Sequence, residues 1–141
     1  MKLVLDACVA ISMLVPEDES PAALALREDY RNKIHELIAP DSLPIEVAHA
    51  LTRAERQGKI KPGRAEVLFA DLLDPCPPLY PYFDYIDRAM QLSSKFRIGI
   101  FDCVYVALAE EQECHVVTSD KRLSELFPSL TIPLSGLLSA E

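Results

Sequence analysis

An α/β architecture built on a parallel sheet is the fold class this 141-residue sequence predicts. Three observations point there. Short apolar runs with β-branched content, "KLVL" at 2–5, "LIA" at 37–39 and "HVVT" at 115–118, alternate with longer segments of helical period. One of those segments, "FDCVYVALAEEQ" at 101–112, is apolar on nearly every side, as a buried helix must be. The composition is 50% apolar, enough for a real core at this length, and one domain over 1–141 is the expectation.

Taken in order, "KLVL" reads as a buried strand that stops at Asp6, and "ACVAISMLV" (7–15) as a short helix ending before Pro16. Ala23, Leu26, Tyr30 and Ile34 recur at helical spacing, so 17–37 reads as an amphipathic helix with Ser20 as N-cap and Pro21 at its first position. "LIA" is a second strand ended by "PDS". Residues 43–60 form a helix closed near Gly58, and 61–74 another entered through Pro62. "PCPPLYP" (75–81) carries four prolines and reads as a loop with a short edge strand. Helices at 82–96 and 101–112, the strand 115–118 and a last strand within 132–137 complete the set. Parallel sheets bind ligands outside the C-terminal ends of their strands, and both Asp6 and Asp120 follow a strand there.

Several functional classes are argued against. The N-terminal "MKLVLDACVAISMLVPEDES" is interrupted by Asp6 and lacks a clear basic region or small-residue cleavage site, so it does not read as a secretory signal. No segment holds about 18 uninterrupted apolar residues, the length a membrane span needs. The four cysteines, Cys8, Cys76, Cys103 and Cys114, form no C-x-x-C pair, and reduced thiols inside a cell are the better reading. A G-x-S-x-G elbow and a glycine-rich phosphate loop are both missing. Glu46-x-x-His49 copies one arm of a di-iron bundle site but has no second arm. Asp6 lacks the aspartate two residues on that haloacid-dehalogenase phosphatases use.

Four acids stand out by context: Asp6, Glu46, Asp102 and Asp120. Each has a plain structural explanation. Three are placed to cap helices, and Glu46 suits a first helical turn. Together, a strand end, two helix starts and a second strand end can converge at one sheet edge. Carboxylates crowded there would repel one another by several kcal/mol unless cations intervened. Hard divalent cations prefer such oxygen donors, so a metal site is the reading that competes with capping. The net charge of −8 is unfavourable for binding nucleic acid by phosphate neutralisation alone, though a bound cation reverses the local field. Basic residues cluster in "RAERQGKIKPGR", with Arg53 and Arg56, and in "SDKR", with Lys121 and Arg122. They are either solvated helix ends or contacts for a nucleic-acid backbone.

At these residues the chain resembles the PIN-domain family, in particular the VapC-type toxins of bacterial and archaeal toxin–antitoxin pairs. The matching segments are "LVLDACVAISMLVPE", "PIEVAHALTRAERQGKI" and "IFDCVYVALAEEQECHVVTSDKRL", in the family's order and spacing over roughly residues 2–135. The resemblance implies a three-layer α/β/α PIN-like domain with a central parallel sheet of four to five strands. It implies an endoribonuclease dependent on Mg²⁺ or Mn²⁺, cutting RNA phosphodiester bonds as the toxin of a type II pair. Asp6, Asp102 and Asp120 would bind metal, and Glu46 would bind it through water or orient the nucleophile. Thr118 and Ser119 fall where the family often has a hydroxyl lining the site. A cognate antitoxin docking across the first helices, a homodimer and a cytoplasmic location belong to the same expectation. Two alternatives are a PIN-like module that binds RNA or a protein without efficient cleavage, and a DNA nuclease on the same fold. The chain departs from the family's habit at Cys8, commonly Ser, Thr or Asn, and at Cys103, more usually alanine.

Overall fold

A computed structural model describes residues 1–16 and 20–139. Its centre is a five-stranded sheet in the order β3-β2-β1-β4-β5, every neighbouring pair parallel. The strands are β1 (Lys2–Leu5), β2 (Glu36–Pro40), β3 (Leu79–Tyr80), β4 (His115–Thr118) and β5 (Thr131–Pro133). Leu3, Val4 and Leu5 are buried, as are Val116 and Val117. Such continuous apolar runs belong to strands covered on both faces. The sheet grows from β1 toward β2 and β3 in one direction and toward β4 and β5 in the other. The β1/β4 junction is therefore the point where strand order reverses, the place beyond the strands' C-terminal ends at which open parallel sheets bind ligands.

Helices α1 (Ala7–Leu14), α2 (Ser20–Arg31), α3 (Leu43–Arg56) and α4 (Arg64–Leu72) pack on one another. Helix α6 (Ile100–Glu111) crosses β1, β2 and β4, with α5 (Ile86–Phe96) against it. The short α7 (Lys121–Leu126) joins β4 to β5, and α8 (Leu134–Ser139) closes the described chain. Cys103 to Ala109 are all buried along α6, in keeping with its all-round apolar sequence.

The sequence expectations need correction mainly at element ends. The helix expected to run to 37 stops at Arg31. Lys33 turns left-handed (φ 61°), and the amides of Lys33 and Ile34 close back on the carbonyls of Tyr30 and Asp29 at 3.1 and 2.8 Å. Ile34 is left outside the apolar stripe and is 57% exposed. The expected start of that helix at 17–19 lies outside the described residues. Ser20 is the first helical residue rather than the flanking cap, and its hydroxyl donates to the Val15 carbonyl at 3.0 Å. Helix α4 begins at Arg64 because Gly63 (φ 86°) makes the turn and Glu55 Oε1 accepts from the amides of Gly63 and Ala65 at 2.7 and 3.2 Å. Residues 82–85 form a 3₁₀ turn before α5. The last expected strand, 132–137, is a three-residue strand followed by a helix, with Leu134 and Leu137 buried one turn apart. Helix α3 closes at Gly58 (φ 75°) as expected.

Candidate metal and active site

Asp6 ends β1 and starts α1, and its backbone amide donates to the Val117 carbonyl of β4 at 3.3 Å. It is only 5% exposed. Its Oδ1 accepts from the Ala7 amide at 2.9 Å, so it does cap its helix. Its Oδ2 accepts from the Thr118 hydroxyl at 2.6 Å and from the Cys8 thiol at 3.3 Å. Thr118 is fully buried and also accepts from the Asp120 amide at 3.0 Å, which ties the two strand ends together. Asp120 caps α7, its Oδ1 accepting from the amides of Arg122 and Leu123 at 2.9 and 3.3 Å.

Asp102 departs from the capping expectation. Gly99 is the flanking residue of α6, and Asp102 lies in the first turn with no capping bond. Glu46 occupies the first turn of α3 and accepts a short hydrogen bond at Oε2 from the Tyr105 hydroxyl of α6. Tyr105 was not singled out as a site residue in the sequence. The available signal was a lone phenol in a helix with no other polar residue between Asp102 and Glu110, since a buried Tyr hydroxyl needs a partner.

The structure brings Asp6 within reach of the charges of Glu46, Asp102 and Asp120, and Asp102 within reach of Glu46 and Asp120. Burial raises the pKa of Asp6, against its three donors, and Asp120 adds to the rise. Burial, with the charges of Asp6 and Asp102, lifts Glu46 to about 7. Asp102 rises to about 6 through burial and the charges of Asp6 and Asp120, with Arg122 pulling the other way. Among the described residues, no ion pair involves any of the four. Arg122 offsets this repulsion only in part, and an added cation would supply further positive charge.

The donor set suits a hard divalent ion. All four candidates offer carboxylate oxygens, and Ser119 Oγ is buried beside Asp120 with no hydrogen-bond partner among the described residues. A buried hydroxyl without a partner is what an ordered water or ion ligand would satisfy. Among the described residues no three His, Cys, Asp or Glu side chains form a ready-made cage.

Cys8 fills the place of a hydroxyl with a working donor. Its Sγ donates to Asp6, receives the Ser119 amide at 3.5 Å and lies 3.6 Å from Thr118 Oγ1. Burial and the neighbouring Asp6 push the thiol up to about 12, so it stays protonated and able to donate. Cys103 is fully buried, and all four cysteines are free. Lys121 lines a crevice of about 290 Å³ with Thr118, Ser119 and Asp120. Arg122 donates through Nη2 to the Arg97 carbonyl at 3.0 Å while its charge still reaches Asp102. Arg53 and Arg56 lie in the second half of α3, about 10 Å or more along the axis from Glu46, and join no acid of the cluster.

Residues 3–126 match the family model of the PIN domain. Over 135 residues the chain is 32% identical to Ribonuclease VapC3 of Pyrobaculum aerophilum, a match covering 94% of this chain and 100% of that protein. Its fold is similar to a crystal structure of VapBC2 from Rickettsia felis bound to a DNA fragment from their promoter. That match has a TM-score of 0.65 and 11% identity, and covers 94% of this chain and 98% of the other. It is also similar to the crystal structure of FitAcB from Neisseria gonorrhoeae, with a TM-score of 0.58 and 15% identity over 96% and 99% of the two chains.

Proposed function

The chain belongs to the PIN-domain family, and from that premise we propose that it is a divalent-metal-dependent endoribonuclease, the toxin of a type II toxin–antitoxin pair. The observation that carries this reading is the meeting of Asp6, Glu46, Asp102 and Asp120 at the sheet's switch point, charge against charge. The ribonuclease named among its relatives is matched over its whole length, which supports the same activity here. Asp6, Asp102 and Asp120 would hold the ion, with Glu46 reaching it through water. Mg²⁺ or Mn²⁺ there would offset carboxylate and phosphate charge and ease the deprotonation of water.

The chain's own contribution is positioning. Donors from Ala7, Thr118 and Cys8 fix both oxygens of Asp6, and the α7 amides fix Asp120, so neither carboxylate must be ordered when RNA arrives. Glu46, braced by Tyr105, orients a water for in-line attack on phosphorus and accepts its proton. The phosphorus–oxygen bond opposite the attacking water breaks, and the ribose oxygen leaves as a hydroxyl with a proton taken from bulk water. Lys121 and Arg122, beside Asp120, contact the RNA backbone, and Arg53 and Arg56 contact it farther along α3.

A homodimer and a small antitoxin complete the reading. The solved VapBC2 assembly has a similar fold, which supports an antitoxin partner. The net charge of −8 favours a basic antitoxin side chain entering the acid cluster in place of the ion. Little of the apolar "CVAISMLV" stretch remains for a partner, because Val9, Ala10, Ser12 and Leu14 face the protein's own core. Leu24 on α2 is 49% exposed and remains available to the antitoxin.

Asp6→Asn and Asp102→Asn test the assignment. Each should cut Mn²⁺-dependent cleavage of single-stranded RNA by more than the about 10–100-fold typical of losing an outer-shell partner, with folding intact by circular dichroism. Each should also relieve growth arrest on expression. Wild-type cleavage rates in either variant would overturn the role given to the acids.

A further inference from the structure

Beside the acid cluster lies an open groove of about 770 Å³, walled by Ile45, Ala48, His49 and Thr52 of α3 and by Phe101 of α6, with Glu46 at one end. Its ridge is unusual for a free surface. Phe101 is 62% exposed and Ile45 is 68% exposed, and each directly precedes an acid of the cluster, Asp102 and Glu46. Both sit in the first turns of their helices, which fixes where the backbone presents them. A large aromatic held in water beside a reaction site marks a place where something apolar binds.

The second observation concerns charge along α3. Glu46, His49, Arg53 and Arg56 follow at helical spacings of three and four, which sets them on one stripe. The apolar stripe of Ile45, Ala48 and Thr52 runs alongside it. The surface thus offers an aromatic and aliphatic face next to a track that becomes basic with distance from the acids. Single-stranded nucleic acid asks for this pairing, bases on the apolar face and phosphates on the basic track. The volume lies within the about 300–1,000 Å³ usual for small-molecule sites.

We propose that this groove is a nucleobase subsite, in which the base of a nucleotide flanking the scissile phosphate stacks on Phe101 against Ile45. The assignment rests on the ribonuclease reading above and adds to it the residue that seats the substrate. Because Glu46 belongs both to the groove and to the acid cluster, a nucleotide with its phosphate at the acids has its neighbour's base at Phe101. Stacking is tolerant of base identity, so the subsite selects unpaired RNA over paired RNA more than it selects sequence.

The test uses the full chain with Mn²⁺ and a short single-stranded oligoribonucleotide whose cut has been mapped. A second oligonucleotide carries an abasic ribose on either side of that cut. Phe101→Ala should lower kcat/KM on the base-bearing strand about tenfold or more, and Phe101→Tyr should keep it near wild type. On the abasic strand the penalty of Phe101→Ala should shrink to less than about twofold, since the stacked base is already missing. Full activity of Phe101→Ala on the base-bearing strand overturns the subsite, as does an equal loss on both strands. A fall in solution mass from dimer to monomer that accompanies the loss also overturns it, and assigns the ridge to a contact between copies. Wild-type protein that cuts no RNA is a different result, because it removes the ribonuclease reading itself.

Discussion

Glu46 and Tyr105 are 59 positions apart in the chain, and their hydrogen bond joins the first turn of α3 to the middle of α6. The phenol is almost fully buried, so its hydroxyl depends on this acceptor, and the carboxylate depends on this donor against the pull of burial. Tyr105→Phe keeps the ring and its packing but removes the donor. Glu46 should then ionise less readily, and the acid limb of the pH profile of kcat/KM should move to higher pH, with the fold retained. An unchanged profile would show that Tyr105 serves packing only. Cys8 makes a similar point from the other side of the site. Position 8 holds a thiol where the family more often has Ser, Thr or Asn, yet its contacts with Asp6, Thr118 and Ser119 keep the donor's role.

At the scale of elements, helix ends decided where sequence reasoning went astray. Periodicity located α1 to α6, and Gly58 announced the end of α3 because glycine takes a left-handed backbone without steric cost. Three other helices end at Lys33, Arg97 and Glu113, all left-handed at φ 61°, 56° and 52° and none signalled by glycine. Only the stop at Lys33 escapes the sequence, where the expected helix runs through a turn as far as 37; the ends expected at 96 and 112 fall where α5 and α6 stop. Lys33→Gly should relieve the strain and raise stability by about 0.5–1 kcal/mol, read as a shift in denaturant midpoint at constant slope. A loss of stability would mean that the Lys33 side chain contributes more than its backbone costs. The acids were legible for a different reason. Asp6 and Asp120 follow apolar strands, Asp102 opens an apolar helix and Glu46 sits in the first turn of an amphipathic one, so all four stand out by context, and the family pattern supplies only their roles. Tyr105 and the Phe101 ridge depend on how α3 and α6 meet, which no local pattern encodes.

The whole molecule concentrates carboxylate charge where the strand order of its sheet reverses, and the consequence is a dependence on pH and metal together. A carboxyl whose pKa is raised by folding holds its proton more tightly in the folded chain than in the unfolded one. The metal-free protein should therefore lose stability as pH climbs from the ordinary values of 3.8 and 4.5 through the raised values of about 6 for Asp102 and about 7 for Glu46. A divalent ion that binds only the folded, ionised cluster should restore that stability by mass action. The most direct measurement is thermal unfolding of chelator-treated protein just above neutral pH, titrated with Mn²⁺. Wild-type Tm should climb steadily with Mn²⁺, while Asp6→Asn and Asp102→Asn should need far more Mn²⁺ for the same rise. A wild-type Tm indifferent to Mn²⁺, or an identical climb in both variants, would contradict a metal site built from these acids.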